Sequence, residues 1–561
     1  MAGLSTAELL LARMKALGVD YIFGNAGTDF PPVIEAYAAR AKTGLDLPEP
    51  VLVAHETVAV GMAHGYYLAT GRAQCAMVHV NVGLANTLMG LLNAATDNVP
   101  VLMASGRTPV TEKGRHGSRS RPIHWGQEMR DQSAMVREAV KWDYELRYPE
   151  QAAVIVDRAL SIAASDPKGP VYLSLPREVL AEPVPDPLPL ETRQDPARAG
   201  APRPDAVVAA VDLIAAAKNP VIVAQRPVGS DWHALSALSD RFAIPVVDFW
   251  AASNVMPSDH PLLAGGDPSA FLPEADVVLA IETLAPWLID AKNAAWDAKI
   301  VGIGPDPLFT RTPVRSFPVD IALAGDPELA LTALSRELDG QADAMRPAIE
   351  ARRAVLVPKI AERRAAAAAR AETGSGRPMN AAWVSKCLSE AKDDDAAIFN
   401  ELGCDGSVMR FSEPGTWFST GFAGGLGWGL PAAIGFQLAD RDRQVIACVG
   451  DGSYIFSNPV ACHHVMAAQG LPVLTVVFNN SVWNAVKRAT GAMYPDGEAA
   501  KANTMPFTDL TPAPDYAAIA RAHGAFGERV DDGAALPDAI ARAMAAVREQ
   551  RRPALLEVVV S

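Results

Sequence analysis

With 561 residues, the chain is too long for one hydrophobic core, and two to four domains are expected. Hydrophobic residues make up 49% and charged ones 20%, the balance of a soluble globular protein rather than a disordered one. A net charge of −14 argues against a general nucleic-acid surface. No apolar run reaches membrane-spanning length, and Met1-Ala2-Gly3-Leu4-Ser5 carries no basic signal region. Five cysteines (75, 387, 404, 448 and 462) show no paired spacing, which fits a reducing cytoplasm.

The first third alternates apolar runs with helix-like stretches. Residues 21–24 form a run that breaks at Asn25-Ala26-Gly27, and residues 51–54 lead through His55-Glu56 into a helix over 58–70. Residues 76–80 make a third strand with His79 near its end, followed by a helix through about Ala95. Runs at 99–104 and 170–176 complete the unit. Continuous apolar strands separated by helices predict a doubly wound parallel sheet with ligands at the strand ends. Between the last two strands, Arg115, Arg119 and Arg121 form a basic run, read as a solvated loop or as an attraction for an acidic substrate.

Residues 183–204 are dense in proline, charge and small side chains and read as a linker. A second α/β segment has strands near 220–224, 244–248, 277–281 and 299–303, and its stretch 220–230 lacks the glycine-rich turn of a close phosphate approach. The alanine- and arginine-rich run at 361–371 predicts an exposed helix, ended by Thr373-Gly374-Ser375-Gly376.

The third segment holds the most specific pattern. A strand over 445–449 runs into Gly450-Asp451-Gly452-Ser453. Asn458-Pro459 predicts a helix N-cap with proline in the first position, and the helix should run to about Gln469. A strand over 473–478 then ends at Asn479-Asn480. Strand, helix, strand is a right-handed parallel unit, so Asp451 and Asn480 should meet on one sheet edge. A carboxylate and an amide oxygen, without cysteine or clustered histidine, suit a hard ion such as Mg²⁺. The glycines let backbone N–H groups approach phosphate oxygens. His463-His464 falls inside the helix, where packing is the expected role.

This order of elements resembles the diphosphate and metal motif of thiamine diphosphate (ThDP) enzymes, and the three segments resemble the decarboxylase-type branch of that superfamily. The resemblance covers nearly the whole chain, most specifically in the first and third segments. It implies an α/β chain of three doubly wound parallel-sheet domains: a pyrimidine-binding domain over 1–182, a Rossmann-like middle domain over 195–345 and a diphosphate-binding domain over 374–561. It implies ThDP and Mg²⁺ as cofactors, with Asp451, Asn480 and the Val482 carbonyl on the metal. Gly403, Cys404, Gly450, Gly452 and Ser453 would surround the diphosphate. In Gly424-Gly425-Leu426-Gly427, Leu426 matches the wedge that bends the cofactor, and the Gly424 carbonyl matches the acceptor for its 4′-amino group.

Glu56, in Ala54-His55-Glu56-Thr57, looks like the family's activating glutamate, although a glutamate at a helix start is also a plain dipole partner. His79 falls where benzoylformate decarboxylase-like enzymes place a catalytic histidine, while acetolactate synthase-like strands end without one. Asn25 is placed to reach the reacting carbonyl, and Gln127 resembles a glutamine of the acetolactate synthase group. Trp483, Lys487 and an irregular stretch over 491–514 would cover the site as a lid. No histidine occurs between His260 and His463, so the second active-site histidine of the benzoylformate type is missing.

The activity implied is ThDP-dependent decarboxylation or carboligation of a small 2-oxo acid, nearest to acetolactate synthase-like proteins. The alternatives are a benzoylformate decarboxylase-like reaction, or C–C cleavage of a diketone or 2-hydroxyacyl compound. A non-catalytic homologue would lack Glu56, Asp451 or Asn480, and all three are present. FAD is not expected in the middle domain. Neither nucleic acid nor membrane is expected as a partner, and similar enzymes are homodimers or homotetramers with active sites between chains.

Overall fold

The computed structural model describes residues 3–184, 194–226, 230–289, 297–502 and 504–561. They form three α/β units, each built on one parallel sheet. In the first unit, β1 (Tyr21–Asn25), β2 (Glu49–Leu52), α1 (Glu56–Thr70), β3 (Cys75–Val78), α2 (Val80–Thr96), β4 (Leu102–Arg107), β5 (Asp143–Glu145) and β6 (Val171–Pro176) follow one another. The strand order is β2-β1-β3-β4-β6-β5. Alternate residues of β3 enter different cores, Cys75 and Met77 one and Ala76 and Val78 the other. A strand covered on both faces needs apolar residues throughout, which is why β3, β4 and β6 were legible as unbroken runs. The runs expected at 51–54 and 99–104 are displaced, since β2 ends at Leu52 and β4 begins at Leu102.

The middle sheet has the order β11-β10-β9-β7-β8. Its strands are β7 (Pro220–Ala224), β8 (Val246–Val247), β9 (Val277–Ile281), β10 (Lys299–Gly304) and β11 (Ile321–Ala324). Residues 185–193 of the expected linker and 227–229 of the stretch after β7 lie outside the described residues. The helix expected at 361–371 is the last third of α3 (Ala342–Glu372), which leads to the third unit.

There, β12 (Ala397–Glu401), β13 (Trp417–Ser419), α4 (Gly429–Ala439), β14 (Val445–Gly450), α5 (Asp451–Phe456), α6 (Pro459–Gln469), β15 (Leu474–Asn479), α7 (Asn484–Met493), β16 (Phe526–Val530) and β17 (Ala554–Val559) follow. The order β13-β12-β14-β15-β17-β16 repeats that of the first sheet strand for strand. The ends of β1 and β12 are therefore equivalent positions, as are the ends of β3 and β14.

One core, containing α1, α4 and the facing sides of both sheets, joins the first and third units. The helices touch backbone to backbone. A Cβ on Gly65 would lie 1.8 Å from the Ala432 carbonyl oxygen, and one on Gly435 2.0 Å from that of Met62.

Two expectations need correction. Asn458 does not cap α6 with its side chain. It takes a left-handed φ of 54° and bends the chain from α5, a helix not foreseen, into α6. The stretch 491–514 is not irregular throughout, because it begins in α7 and includes a helix at Glu498–Ala502. Among the described residues no helix is long and apolar enough to cross a membrane.

Candidate active site

Glu56 opens α1 behind His55, whose extended backbone and Nδ1 cap the helix by accepting from the Thr57 N–H. The Glu56 carboxylate is 8% exposed and held at both oxygens. Oε1 accepts from Asn25 Nδ2 at 2.8 Å and Oε2 from Asn86 Nδ2 at 3.0 Å. Two amide clamps exceed what a helix-dipole partner needs. One of the two Asn25 amide hydrogens is thus directed at Glu56. Asn86, not singled out in the sequence, comes from the second turn of α2.

His79 follows β3 and precedes α2. Its Nδ1 lies 2.5 Å from Asp29 Oδ1 and its Nε2 lies 3.0 Å from Gln127 Nε2. The side chain is 18% exposed, so His79 reaches the crevice while ordered on both ring nitrogens. The structure thus brings Gln127 to His79, and adds Asp29, which sequence reasoning missed. The two halves of the crevice meet at Gly83. Its N–H donates to the His79 carbonyl at 2.7 Å, and a Cβ on it would stand 3.4 Å from Glu56 Oε1.

In the third unit Asp451 is the first residue of α5, with Gly450 at the N-cap. It is buried, 3% exposed. Its Oδ1 accepts from the Gly452 N–H at 2.8 Å and its Oδ2 from the Ser481 N–H at 2.7 Å. Burial pushes its carboxyl above the usual range, against the pull of these backbone donors. Ser481 takes a left-handed φ of 57°, which turns its N–H toward Asp451. The turn is fixed from behind. Asn479 Oδ1 accepts from the Ser481 N–H and hydroxyl at 3.0 Å each, and Asn479 Nδ2 donates to buried Glu557 at 2.9 Å. Asn480 Oδ1 accepts from the Val482 N–H at 3.1 Å, and the Val482 carbonyl accepts from Asn484 at 2.8 Å. Gly452 is obligatory, since a Cβ there would meet the Trp483 ring at 2.2 Å. The return of the expected lid is tied to this turn through Trp483 N–H to Thr508 O and Leu510 N–H to Ser481 O. Lys487 stands exposed on α7.

The glycine loop is organised by Glu401, which sequence reasoning passed over. Glu401 ends β12 fully buried and accepts from the Gly427 and Gly429 N–H groups at 2.6 Å each. Burial pushes its carboxyl up to about 7, with the Gly429, Gly427 and Ser453 hydrogen bonds opposing. On the other side the loop is held by α2, where Asn93 Nδ2 donates to Gly425 O at 2.8 Å and Asn93 Oδ1 accepts from Gly425 N at 3.0 Å. Leu426 is half-buried between these anchors, and Gly424 is exposed with φ 62°. The Gly403 and Cys404 N–H groups turn inward onto Asn400 Oδ1, at 3.1 and 2.7 Å.

His463 is buried and bonded to the Tyr454 hydroxyl at 2.7 Å, while His464 is exposed. Arg115 pairs with Glu182 and Arg119 with Glu128. A cavity of about 1030 Å³ lies between the 248–267 segment, α3 and the 386–419 segment, and is lined by none of the candidate site residues.

Residues 4–135, 207–334 and 402–558 match the N-terminal TPP binding, central and C-terminal TPP binding domains of the thiamine pyrophosphate enzymes. The chain belongs to the thiamine pyrophosphate enzyme family. It is 27% identical to a benzoylformate decarboxylase of Pseudomonas aeruginosa, over 97% of each chain. It is likewise 27% identical to an acetolactate synthase large subunit of Parasynechococcus marenigrum, over 99% of this chain and 87% of the relative. A 4-hydroxybenzoylformate decarboxylase of Rhodococcus jostii RHA1 superposes with a TM-score of 0.77 at 21% identity, covering 100% of this chain and 99% of that one. At that identity the likeness concerns the fold.

The residues of this thiamine pyrophosphate enzyme fit ThDP and would fit a hard divalent cation. Asp451, Asn480 and Val482 offer hard oxygen donors, and a cation would complete the buried carboxylate braced by backbone N–H groups. Gly450 leaves the N-cap of α5 without a side chain.

Proposed function

We propose that this protein is a ThDP- and Mg²⁺-dependent enzyme that removes CO₂ from a 2-oxo acid and protonates the remaining carbon, releasing an aldehyde. The observation that carries the reading is a pair of side chains brought together past the ends of β2 and β3: an amide-clamped carboxyl, Glu56, and an ordered histidine, His79, on either side of Gly83. When bound, ThDP supplies a carbanion nucleophile and an electron sink for the bond to CO₂. Glu56 is the carboxyl that would face the pyrimidine ring, and His79 is the proton carrier for the substrate. Asp451, Asn480 and the Val482 carbonyl would hold Mg²⁺. Gly450, Gly452 and Ser453 would meet the diphosphate, Gly403 and Cys404 would form its wall, and Gly424 and Leu426 its upper rim.

The working unit is proposed to be a homodimer or dimer of dimers. Leu52, Val82, Leu402, Ile455, Phe456 and Val486 are exposed large apolar residues at or just after the strand ends of the two TPP-binding sheets. Such an apolar rim suits an association surface. All five cysteines are free, which suits the cytoplasm.

A second reading, carboligation, is favoured by Gln127. Its amide covers His79 Nε2 at 3.0 Å and would delay protonation until a second carbonyl arrives. The test is incubation with a panel of 2-oxo acids, with and without acceptor aldehydes, and product identification by NMR. Aldehyde formed without an acceptor supports decarboxylation. Hydroxyketone as the sole product supports carboligation. Turnover of no 2-oxo acid, with ThDP and Mg²⁺ bound, would overturn both.

A further inference from the structure

We propose that Asp29 is a positioning residue that fixes the proton of His79 on Nδ1 and so makes Nε2 the proton-carrying atom of the site. The inference rests on the reading of His79 given above. A carboxylate only accepts hydrogen bonds. The 2.5 Å contact between Asp29 Oδ1 and His79 Nδ1 therefore requires Nδ1 to carry hydrogen. In the neutral ring Nε2 is then the acceptor, which matches the Gln127 amide nitrogen 3.0 Å away. Both neighbours select the same tautomer.

The surroundings are shaped to this pair. Asp29 is 3% exposed, and its second oxygen accepts from the Val80 N–H at 3.2 Å. Val80 takes φ 31°, a sparsely populated conformation for a β-branched residue, which persists only where surrounding contacts hold it. Two glycines clear the space. A Cβ on Gly27 would lie 2.1 Å from His79 Nδ1, and one on Gly106 1.5 Å from Asp29 Oδ2. Arg177 donates to the Thr28 carbonyl at 2.8 Å and fixes the turn that carries Asp29. A carboxylate serving only the start of α2 would need the Val80 contact alone.

In the proposed step one proton leaves His79 Nε2 for the substrate carbon that has lost CO₂, whose electron pair came from the broken C–C bond. Asp29 faces the charged form of the ring, and solvent returns the proton to Nε2.

The test uses the full-length enzyme with ring-¹⁵N-labelled histidine, the His79 signals being assigned by their loss in H79Q. Without substrate, the wild-type ring should carry its neutral-form proton on Nδ1. A proton on Nε2 would overturn the proposal without any variant. D29N is informative because the Val80 N–H demands the asparagine oxygen, which leaves the amide nitrogen facing Nδ1. The proton should then move to Nε2. Turnover of the active 2-oxo acid should fall about 100-fold, the scale of general acid–base catalysis, with KM within about twofold and the melting temperature preserved. D29N with full turnover would overturn the proposal. G27A, which pushes the ring away without changing charge, should also lose the Nδ1–H signal. If H79Q itself keeps full turnover, the reading of His79 fails, while the tautomer measurement still decides whether Asp29 sets the ring.

Discussion

Asn86 and Asn93 stand two turns apart on one face of α2, and each grips one half of the site. Asn86 Nδ2 donates to Glu56 at 3.0 Å, and Asn93 Nδ2 donates to the Gly425 carbonyl at 2.8 Å. Seven residues of helix separate them by about 10 Å, so within one chain Glu56 and the 424–427 loop are held apart.

That separation, together with the apolar rim, leads to a prediction about assembly. Glu56→Ala and Asp451→Ala chains should each be inactive. Refolded together at equal amounts, about half of the dimers are mixed, and each mixed dimer has one intact site. About a quarter of wild-type activity should return. Mixed dimers without activity would show that each site is built within one chain.

Asp451→Ala removes the anionic oxygen that Gly452 and Ser481 orient. The residue is buried, so the variant should also soften the Ser481 turn. Mg²⁺ and ThDP retention should be abolished in calorimetry, while far-UV circular dichroism stays that of the wild type. Normal binding of both would refute the metal assignment.

Glu401 gives a prediction in pH. Its ordinary carboxyl value of 4.5 is pushed up to about 7 by burial. Between those values the folded chain keeps a proton that the unfolded chain has lost. Its contribution to stability therefore falls as pH rises from about 4.5 to about 7, by a few kcal/mol at most. Asp97, Asp248 and Glu282 are also raised, to about 6, 6 and 7, so only a comparison isolates the site. Glu401→Gln should show a shallower decline of melting temperature across that window. It should also hold ThDP less tightly, because one amide end faces an N–H donor. A variant curve parallel to the wild type would count against the role.

The middle unit should bring no flavin. The crevice at the ends of β7, β9 and β10 encloses about 200 Å³ and is lined by Arg226, Glu282 and Asp306. Ligand sites run from about 300 Å³ upward. Arg226 crosses it to donate to the Thr96 carbonyl and lies over the Phe422 ring. The purified enzyme should be colourless, and a stoichiometric flavin absorption band would contradict this.

How much of this the sequence discloses depends on the kind of signal. Strands covered on both faces, such as β3 and β14, announce themselves by unbroken apolar runs. β5 reads Asp-Tyr-Glu and is half-exposed along its length, so it has no such signal. Glu557 interrupts β17 and makes sense only beside Asn479. Glu56, Asp451 and Asn480 stand out in the sequence because the resemblance to ThDP enzymes puts those residue types at those strand ends. Asp29, Asn86 and Glu401 were not, because their roles come from partners far away in sequence.

Glu56 bears most directly on the proposed function. Exchange of the ThDP C2 proton, followed by NMR after acid quench in the reconstituted enzyme, reports activation without any substrate. Glu56→Gln should leave ThDP and Mg²⁺ bound but slow that exchange by about a hundredfold or more, since the amide cannot exchange a proton with the pyrimidine ring. Wild-type exchange in that variant, with cofactor fully bound, would contradict the assignment of Glu56 and the function built on it.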